Sequence, residues 1–287
     1  MTTERCEELY EKDSLKRVLR RFDLQPDRNK GQHFLVNKSL LETVAEGAGT
    51  GEVALEVGAG PGSLTCILKK RFDKLLAVEL DDSFGSLFAE LNPESSVELI
   101  QGDFLNLELT ELGLKKNGSA RLVGNIPYNI TGKILEKAVD ERDYFSKAVF
   151  TIQKEVGDRI TADPGTKQCG AITYYVQAYA EVSHLADIPS NAFYPPPEVD
   201  SSIIEIVFAP EKKFASDDEA FFSVVQGLFN YRRKTIRKGF IVSPRFQLEK
   251  AEVDQLLDRA NIDPRKRPEE LTLADYDNLT GLLGEPG

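Results

Sequence analysis

Residues 52–80 read EVALEVGAGPGSLTCILKKRFDKLLAVEL and join two apolar runs through a glycine-rich turn. The runs 53–57 and 75–80 have the length and composition of buried strands, and 64–72 between them has helical spacing. Glycine lets the backbone turn tightly and approach a ligand that a β-carbon would exclude. Because parallel α/β sheets bind ligands beyond the carboxyl ends of their strands, the turn 56–62 is predicted to line a binding site.

Apolar runs alternate with helical patterns from residue 52 to 208. The predicted strands are 53–57, 75–80, 97–101, 121–124, 147–151 and 203–208. This alternation predicts an α/β, Rossmann-like fold with a mostly parallel sheet and helices on both faces. Proline cannot join a central strand, so the Pro-rich segment 194–197 is predicted to be a rigid loop.

Three regions are expected along the chain. Residues 1–27 form a basic N-terminal extension that contains a predicted amphipathic helix at 12–24. Residues 28–208 form the α/β domain. The segment APEKKF then marks a linker, and 209–287 is predicted to be a small helical domain, because 217–229 and 250–260 have helical spacing.

The composition argues against several classes of protein and of metal site. Three cysteines (Cys6, Cys66 and Cys169) share no CxxC spacing, which argues against a disulfide framework. Two histidines (His33 and His184) are too few for a Cys/His zinc site with them, and no metal is expected. No apolar run approaches the roughly 20 residues of a membrane span, and the N-terminus lacks the apolar core of a signal peptide. We expect a reduced, cytoplasmic protein with no membrane partner.

The net charge of −11 is unevenly distributed. Residues 12–38 carry eight basic and three acidic side chains, and 229–250 carry seven basic and one acidic. The stretch 39–208 carries 14 basic and 26 acidic side chains. Two basic regions on an acidic body can bind a polyanion locally, although solvated helix faces explain the same charges equally well.

The glycine turn and two carboxylates together predict a nucleoside cofactor. Glu79 ends the strand that follows the turn, where it can accept hydrogen bonds from both ribose hydroxyls. The spacing Gly58-x-Gly60-x-Gly62 places its third glycine one residue earlier than the dinucleotide fingerprint G-x-G-x-x-G, but this alone does not decide between a nicotinamide cofactor and another nucleoside cofactor. Asp103 ends the next strand and is predicted either to accept from an adenine amine or to cap the following segment.

The motif Gly124-Asn125-Ile126-Pro127-Tyr128 favours a methyl-transfer site. The Asn125 side chain and the Pro127 carbonyl offer acceptors to a planar ring that carries an exocyclic amine. Such bonds favour a pyramidal nitrogen and aim its lone pair at a methyl sulfonium, while Tyr128 stacks on the base and stabilises developing positive charge. The alternative is an Asx-Pro turn with a core tyrosine.

These motifs resemble those of the rRNA adenine dimethyltransferases, and most closely the KsgA-type small-subunit branch. The resemblance spans about residues 28–280 and rests on the glycine turn and 125–128 together with GQHFL (31–35), QKEV (153–156) and FYPPPEVDS (193–201). It implies an S-adenosylmethionine site formed by His33, Leu35, Gly58, Glu79, Asp103 and Asn125. It also implies that Asn125 and Tyr128 hold the target adenine, beside the Pro127 carbonyl predicted above as an acceptor, and that Phe193 covers the other face of the base. A core role for Phe193 is the alternative.

The segment FNYRRKTIRK (229–238) resembles one found in the small-subunit enzymes and lacking in the related large-subunit enzymes. Arginine pairs with phosphate in a bidentate manner, and this spacing places several cations on one helix face. The predicted RNA-binding residues are Arg232, Arg233, Lys234, Arg237 and Lys238. A solvated face is the alternative. Residues 28–208 are then a methyltransferase domain and 209–287 an rRNA-binding domain.

The resemblance implies dimethylation of two adjacent adenosines in the 3′-terminal hairpin loop of small-subunit (16S) rRNA, on an immature 30S particle, by a monomeric enzyme. Two departures bear on RNA affinity: CGAIT (169–173) stands where the family reads Y-G-R-L-S, and the chain is acidic overall. The alternatives are a large-subunit rRNA methyltransferase and a non-catalytic ribosome-assembly factor on the same fold.

Overall fold

The computed structural model describes residues 2–27 and 30–284. The strands of the described residues are β1 (Phe34–Leu35), β2 (Gly51–Val57), β3 (Phe72–Glu79), β4 (Val97–Gln101), β5 (Ala120–Asn125), β6 (Phe145–Gln153), β7 (Ala180–Ile188), β8 (Phe193–Tyr194) and β9 (Ser201–Phe208). The α-helices are α1 (Thr2–Glu7), α2 (Lys12–Arg21), α3 (Lys38–Ala48), α4 (Thr65–Leu68), α5 (Gly85–Leu91), α6 (Thr131–Asp140), α7 (Lys154–Thr161), α8 (Ala171–Gln177), α9 (Asp218–Phe229), α10 (Ile236–Val242), α11 (Lys250–Arg259) and α12 (Leu273–Gly284).

Seven strands form one sheet in the order β4-β3-β2-β5-β6-β9-β7. The pairs β4-β3, β3-β2, β2-β5 and β5-β6 are parallel, and β9 runs antiparallel to β6. Each predicted strand lies within one of these strands, except that the run predicted at 75–80 ends one residue early, at Glu79. The mostly parallel α/β sheet is confirmed. The short strands β1 and β8 form a separate antiparallel pair.

The register of the sheet brings three strand ends together. Val57, the last residue of β2, pairs with Val78 of β3 and with Gly124 of β5. Gly124 fits closely, because a β-carbon there would lie 2.6 Å from the carbonyl oxygen of Val57. The glycine turn, Glu79 and Asn125 therefore meet at the carboxyl edge of the sheet.

Three predicted helices are shorter in the structure. The one predicted at 12–24 ends at Arg21. The helix predicted at 64–72 is limited to Thr65–Leu68, because the chain turns and Phe72 already begins β3. The helical face predicted for 229–238 is interrupted: 231–234 form turns, and Thr235 caps α10 by accepting a hydrogen bond from the backbone N–H of Lys238. The basic residues of this segment consequently do not share one continuous helix.

The described residues form two compact units. The first comprises the described residues up to Gly157 together with Glu181–Phe208, and it contains the whole seven-stranded sheet apart from the first residue of β7. The second comprises Asp158–Ala180 and Ala209 onward, and it is helical. The predicted division after residue 208 coincides with one boundary, whereas residues 158–180, predicted in the first domain, group with the second unit.

Cys6 and Cys66 form a disulfide, with their Cα atoms 6.0 Å apart. The bond joins α1 to α4, and both cysteines are buried. The expectation of a reduced protein is therefore wrong for this pair. Sixty residues separate the two positions, and no spacing rule relates them.

No helix among the described residues has the length and apolar character needed to cross a membrane. The same residues, 2–27 and 30–284, contain no group of three or more His, Cys, Asp or Glu side chains suited to hold a metal ion. The absence of a metal remains a prediction.

Candidate functional site

A cavity of about 190 Å³ lies at the carboxyl edge of the sheet in the first unit. Its lining contains five of the six predicted cofactor residues and three of the four predicted to hold the target base. These are His33, Gly58, Glu79, Asp103 and Asn125, and Asn125, Pro127 and Tyr128 respectively. Residues from several separate segments of the chain thus converge on one cavity.

Glu79 fastens the glycine turn to the end of β3. Its carboxylate accepts hydrogen bonds from the backbone N–H groups of Gly60 (2.7 Å) and Asp81 (2.8 Å). Gly60 has φ +52°, and Gly58, which lines the cavity, has φ +75°, a backbone region that favours glycine. Burial raises the pKa of Glu79, and the two backbone bonds partly offset this effect. Each carboxylate oxygen keeps a lone pair for a hydroxyl donor.

Glu56 lies at the base of the turn, and sequence reasoning gave it no role. Its side chain is buried and accepts a 2.6 Å hydrogen bond from the Thr65 hydroxyl, so it joins the strand before the turn to the helix after it. Burial raises the pKa of Glu56 to about 8, although the bond from Thr65 acts against this. At neutral pH the carboxyl is mostly protonated. The sequence signal that could have indicated this role is a glutamate within an otherwise apolar strand (VALEV).

Asp103 caps the short turn that follows β4. Its side chain accepts hydrogen bonds from the backbone N–H of Leu105 (2.9 Å) and from the Asn106 amide (3.2 Å). The capping alternative is thus present in the structure. Because Asp103 also lines the cavity, its carboxylate is within reach of a ligand there, and its contact with adenine remains a proposal.

Asn125 presents an acceptor at the cavity wall. Its side-chain nitrogen donates a 2.8 Å hydrogen bond to the backbone carbonyl of His33. Only the amide nitrogen can donate to a carbonyl, so this bond fixes which way the amide faces. The Asn125 Oδ1 accepts no hydrogen bond from the described residues and is available to a donor in the cavity.

The carbonyl of Pro127 is less available than the sequence suggested. It accepts long hydrogen bonds from the Ile130 N–H (3.2 Å) and the Thr131 hydroxyl (3.3 Å), both within the turn that leads into α6. A carbonyl oxygen has two lone pairs, so a substrate amine must displace one of these bonds. The free acceptor of the motif is the Asn125 oxygen.

Tyr128 is held from two sides. Its hydroxyl lies 2.6 Å from the Ser201 hydroxyl, and its ring stacks on the His33 ring with centroids 5.8 Å apart and planes 22° apart. Burial raises the pKa of the Tyr128 hydroxyl. Two segments distant in sequence therefore fix the orientation of one aromatic face at the cavity.

Leu35 and Phe193 do not line the cavity. Both are buried, and they pair with each other through β1 and β8. Phe193 is fully buried, so the structure supports its core role and gives it no surface to cover a base. The pairing joins positions 158 residues apart, and sequence reasoning had no means to foresee that it draws both side chains into the core.

The sequence analysis did not predict the roles of two residues at the cavity wall, Leu80 and Asp81. Leu80 is 63% exposed although it follows directly on a buried strand, and it offers an apolar surface next to Glu79. Asp81 accepts 2.8 Å hydrogen bonds from Lys30 and Gln32, which fasten the segment before β1 to the end of β3. Burial raises the pKa of Asp81, but the bonds from Lys30 and Gln32 outweigh it and hold the pKa below its usual range. The sequence signal that could have indicated both features is the order acidic, apolar, acidic at residues 79–81, directly after a strand.

The five predicted RNA-binding residues belong to the second unit and fall into two groups. Arg237 pairs with the Asp254 carboxylate at 2.5 and 2.8 Å, and Arg232 donates to the Lys167 carbonyl at 2.9 Å. The other three have no side-chain hydrogen bond or ion pair within the described part of the chain; they are Arg233, Lys234 and Lys238. All three are exposed, so they carry the available positive charge of this segment.

Known proteins resemble the chain over nearly its whole length. Residues 25–278 match the model of the family described as ribosomal RNA adenine dimethylase. A protein of Alkaliphilus oremlandii named ribosomal RNA small subunit methyltransferase A is 33% identical, covering 94% of this chain and 96% of its own.

Two solved structures share the fold. A dimethyladenosine transferase from Plasmodium falciparum has a TM-score of 0.71 at 22% identity and covers 85% of this chain and 94% of its own. The 23S rRNA methyltransferase ErmE has a TM-score of 0.67 at 22% identity and covers 88% of this chain and 99% of its own. The resemblance inferred from the motifs is confirmed: the chain belongs to the ribosomal RNA adenine dimethylase family.

Proposed function

We propose that the protein transfers methyl groups from S-adenosylmethionine to the exocyclic amines of two adjacent adenosines in the 3′-terminal hairpin loop of small-subunit (16S) rRNA, during small-subunit biogenesis. Membership of the family makes the chain an S-adenosylmethionine-dependent rRNA adenine methyltransferase. The small-subunit target is favoured by the Alkaliphilus relative, which is named for that subunit. One observation carries the chemistry: the Asn125 oxygen lies free at the cavity wall while its nitrogen is bound.

The cavity has the features that the cofactor requires. Bound S-adenosylmethionine supplies an electrophilic methyl group on a sulfonium. Gly58 lets the backbone approach the ligand, Glu79 accepts from ribose hydroxyls, and Leu80 packs against the apolar face of the adenine ring. Asp103 accepts from the adenine amine with the lone pairs that its capping bonds leave. His33 completes the wall, and Leu35 supports it from the core.

The target amine is a poor nucleophile, because its lone pair is delocalised into the adenine ring. A hydrogen bond to the Asn125 oxygen, with a second to the Pro127 carbonyl, favours a pyramidal nitrogen and directs its lone pair. Tyr128 stacks on the base and stabilises the positive charge that develops on the nitrogen. Ser201 and His33 hold Tyr128 in place, so little reorganisation is needed when the base enters. Phe193 is left out of this site because it is buried.

RNA recognition is proposed to use phosphate contacts and an unpaired loop. Arg233, Lys234 and Lys238 are the cations available to phosphate, and Arg232 and Arg237 join them only after releasing their present partners. A base must leave its stack to reach the cavity, and an adenine in a loop does so at lower cost than one in a duplex.

The wider setting is also a proposal. Residues 28–208 are proposed as the methyltransferase domain and 209–287 as the rRNA-binding domain, preceded by the basic extension 1–27. The substrate is proposed to be the rRNA of an immature 30S particle, and the enzyme to act as a monomer in the cytoplasm without a metal.

The test is methyl transfer from labelled S-adenosylmethionine to immature small subunits that lack the dimethyladenines. Wild-type protein is expected to place label in the 3′-terminal loop as dimethyladenosine. Asn125→Ala is expected to lower the turnover number by about 10²- to 10³-fold, the usual effect of losing one oriented polar contact in a transition state. Asn129→Ala is the matched control, since Asn129 lines the same cavity and is exposed.

Other outcomes contradict the proposal in distinct ways. Label in large-subunit RNA and none in small subunits would identify a large-subunit methyltransferase. Full retention of the cellular role by Asn125→Ala, with no S-adenosylmethionine binding by the wild type, would identify a non-catalytic assembly factor.

A further inference from the structure

A second groove lies in the first unit and is lined in part by Tyr194 and Pro195, which do not line the cofactor cavity. Its volume is about 390 Å³, within the usual range of ligand sites. We call it the Tyr194 groove, and it is lined by Lys16, Leu19, Arg20, Leu24, Gln25, Pro26, Tyr194 and Pro195. The reaction proposed above uses none of these residues.

The groove is positively charged. Helix α2 buries Leu15, Val18 and Leu19 and turns Lys16 and Arg20 toward the groove. Arg20 is exposed and forms no side-chain hydrogen bond or ion pair with any described residue. Lys16 is partly neutralised by Asp13 at 3.0 Å, but no lining residue of the groove is acidic. The lining therefore favours an anion.

The groove also offers groups suited to a base. Tyr194 is half-buried and presents part of its ring, and the Lys16 ammonium lies 5.4 Å from the ring centroid. Gln25 is exposed, with an amide able to donate and accept. Proteins bind single-stranded nucleic acids with this combination of groups. An aromatic ring stacks on the base, and nearby cations bind the phosphate.

Residues that line the groove contact residues that line the cofactor cavity. Tyr194 pairs with Phe34 across the β1–β8 ladder, and the carbonyl of Pro195 lies 2.8 Å from the Nδ1 of His33. His33 in turn lines the cofactor cavity and stacks on Tyr128. Since His33 contacts both Pro195 and Tyr128, the groove neighbours the part of the cavity proposed to hold the target adenine.

We propose that the Tyr194 groove binds a nucleotide of the RNA strand that flanks the methylated adenines. Tyr194 stacks on the flanking base, and Arg20 with Lys16 binds a phosphate. The proposal rests on the proposed function, because it takes RNA as the substrate. It assigns to α2 a role in holding the substrate strand.

The experiment pairs protein variants with RNA variants. A fluorescent RNA hairpin with two adjacent adenines in its loop is titrated with wild type, Tyr194→Ala, Arg20→Gln and the control Arg17→Gln. Arg17 is exposed on the same helix, outside the groove, and within the described part of the chain it donates only to the Ser14 hydroxyl. The same titrations use hairpins in which one loop nucleotide at a time is abasic. S-adenosylmethionine affinity, measured separately, is expected to be unchanged in every variant and serves as the folding control.

Tyr194→Ala is expected to weaken RNA binding about tenfold, the effect of losing one stacked base. That loss should disappear at one abasic position next to the adenines, because removing either stacking partner removes the same contact. Arg20→Gln is expected to lower the slope of log Kd against log salt by about one, whereas Arg17→Gln leaves it unchanged.

The proposal is overturned if Tyr194→Ala and the abasic positions are additive throughout, or if Arg20→Gln and Arg17→Gln behave alike. Failure of the proposed function has a different signature, since it appears as absence of methyl transfer by the wild type to small-subunit rRNA. An active enzyme without coupling at Tyr194 refutes the groove alone. Coupling at Tyr194 without methyl transfer refutes the reaction alone.

Discussion

The cofactor cavity and the basic segment 229–238 contrast in how their polar groups are held. In the cavity, Glu79, Asp103, Asn125 and Tyr128 each form at least one hydrogen bond within the protein. In the basic segment, three of the five predicted cations have no partner among the described residues. The polar groups of the cavity are positioned without a ligand, whereas the three exposed cations of the segment remain available to a partner.

This difference determines what substitutions should do. In the cavity, chemistry and folding share the same contacts, so changes there should alter stability and turnover together. In the basic segment, charges are solvated, and substitutions should alter RNA affinity and its salt dependence with little effect on the fold.

The largest effect is expected from the buried carboxyl of Glu56. Its pKa is raised from about 4.5 to about 8, so the folded protein holds a proton that the unfolded chain releases between these values. Stability should fall as pH rises from 4.5 to 8 and then level off. The contribution is on the order of 5 kcal/mol, because each tenfold change in proton affinity is about 1.4 kcal/mol.

Glu56→Gln should remove this part of the pH dependence while keeping the size of the side chain. Urea denaturation of both proteins from pH 5 to 9 measures the difference. Parallel pH profiles for wild type and variant would show that Glu56 is not the titrating group.

Gly124→Ala should destabilise the fold by about 3 kcal/mol. The new β-carbon would lie 2.6 Å from the Val57 carbonyl oxygen, a backbone atom that moves only if β2 and β5 separate. Gly132→Ala is the control, because its β-carbon meets nothing within 4 Å in α6. It should be neutral or stabilise by about 1 kcal/mol, since alanine favours helix. Equal denaturation midpoints for the two variants would contradict this account of the strand contact.

Ser201→Ala should lower the turnover number about tenfold, because Tyr128 loses the hydroxyl that orients it. Tyr128→Phe should produce a similar loss, and the double variant should lose little more, since both changes remove one contact. Single-turnover methyl transfer measures these rates. Ser202→Ala is the control, because the Ser202 hydroxyl bonds Asp187 at 3.1 Å and lies outside the cavity lining. Fully additive losses would show that Ser201 does not act through Tyr128.

The smallest effect is expected in the basic segment, where a cation without a partner can be compared with a paired one. Lys234→Gln should weaken RNA binding about fivefold at physiological salt and lower the salt slope by about one. Arg237→Gln should leave the slope unchanged, because the Arg237 guanidinium is already bound to Asp254. Titrations at several salt concentrations compare the two. The same change of slope in both variants would show that the ion pair opens when RNA binds.

Most strands of the seven-stranded sheet could be predicted from local patterns in the sequence. Strands β2 to β6 and β9 were predicted because their apolar runs are continuous and bounded by turn residues. Strand β7 was missed, since its buried and exposed positions do not alternate regularly and its residues include Glu181, His184 and Asp187. The helix predicted at 64–72 was too long, because helical spacing continues into residues that the sheet takes as β3.

Of the candidate site, the sequence itself determined the residues at the ends of consecutive parallel strands: the glycine turn, Glu79, Asp103 and Asn125. Parallel pairing places the carboxyl ends of these strands at one edge of the sheet. Predicting each strand and its last residue therefore suffices to predict that these side chains lie close together. Tertiary structure alone decided the pairing of β1 with β8, the burial of Phe193, the Ser201–Tyr128 contact and the Cys6–Cys66 bond. The three contacts join positions 60 or more residues apart, and the burial of Phe193 follows from the first of them. Such contacts depend on how whole elements pack, which no local pattern of residues encodes.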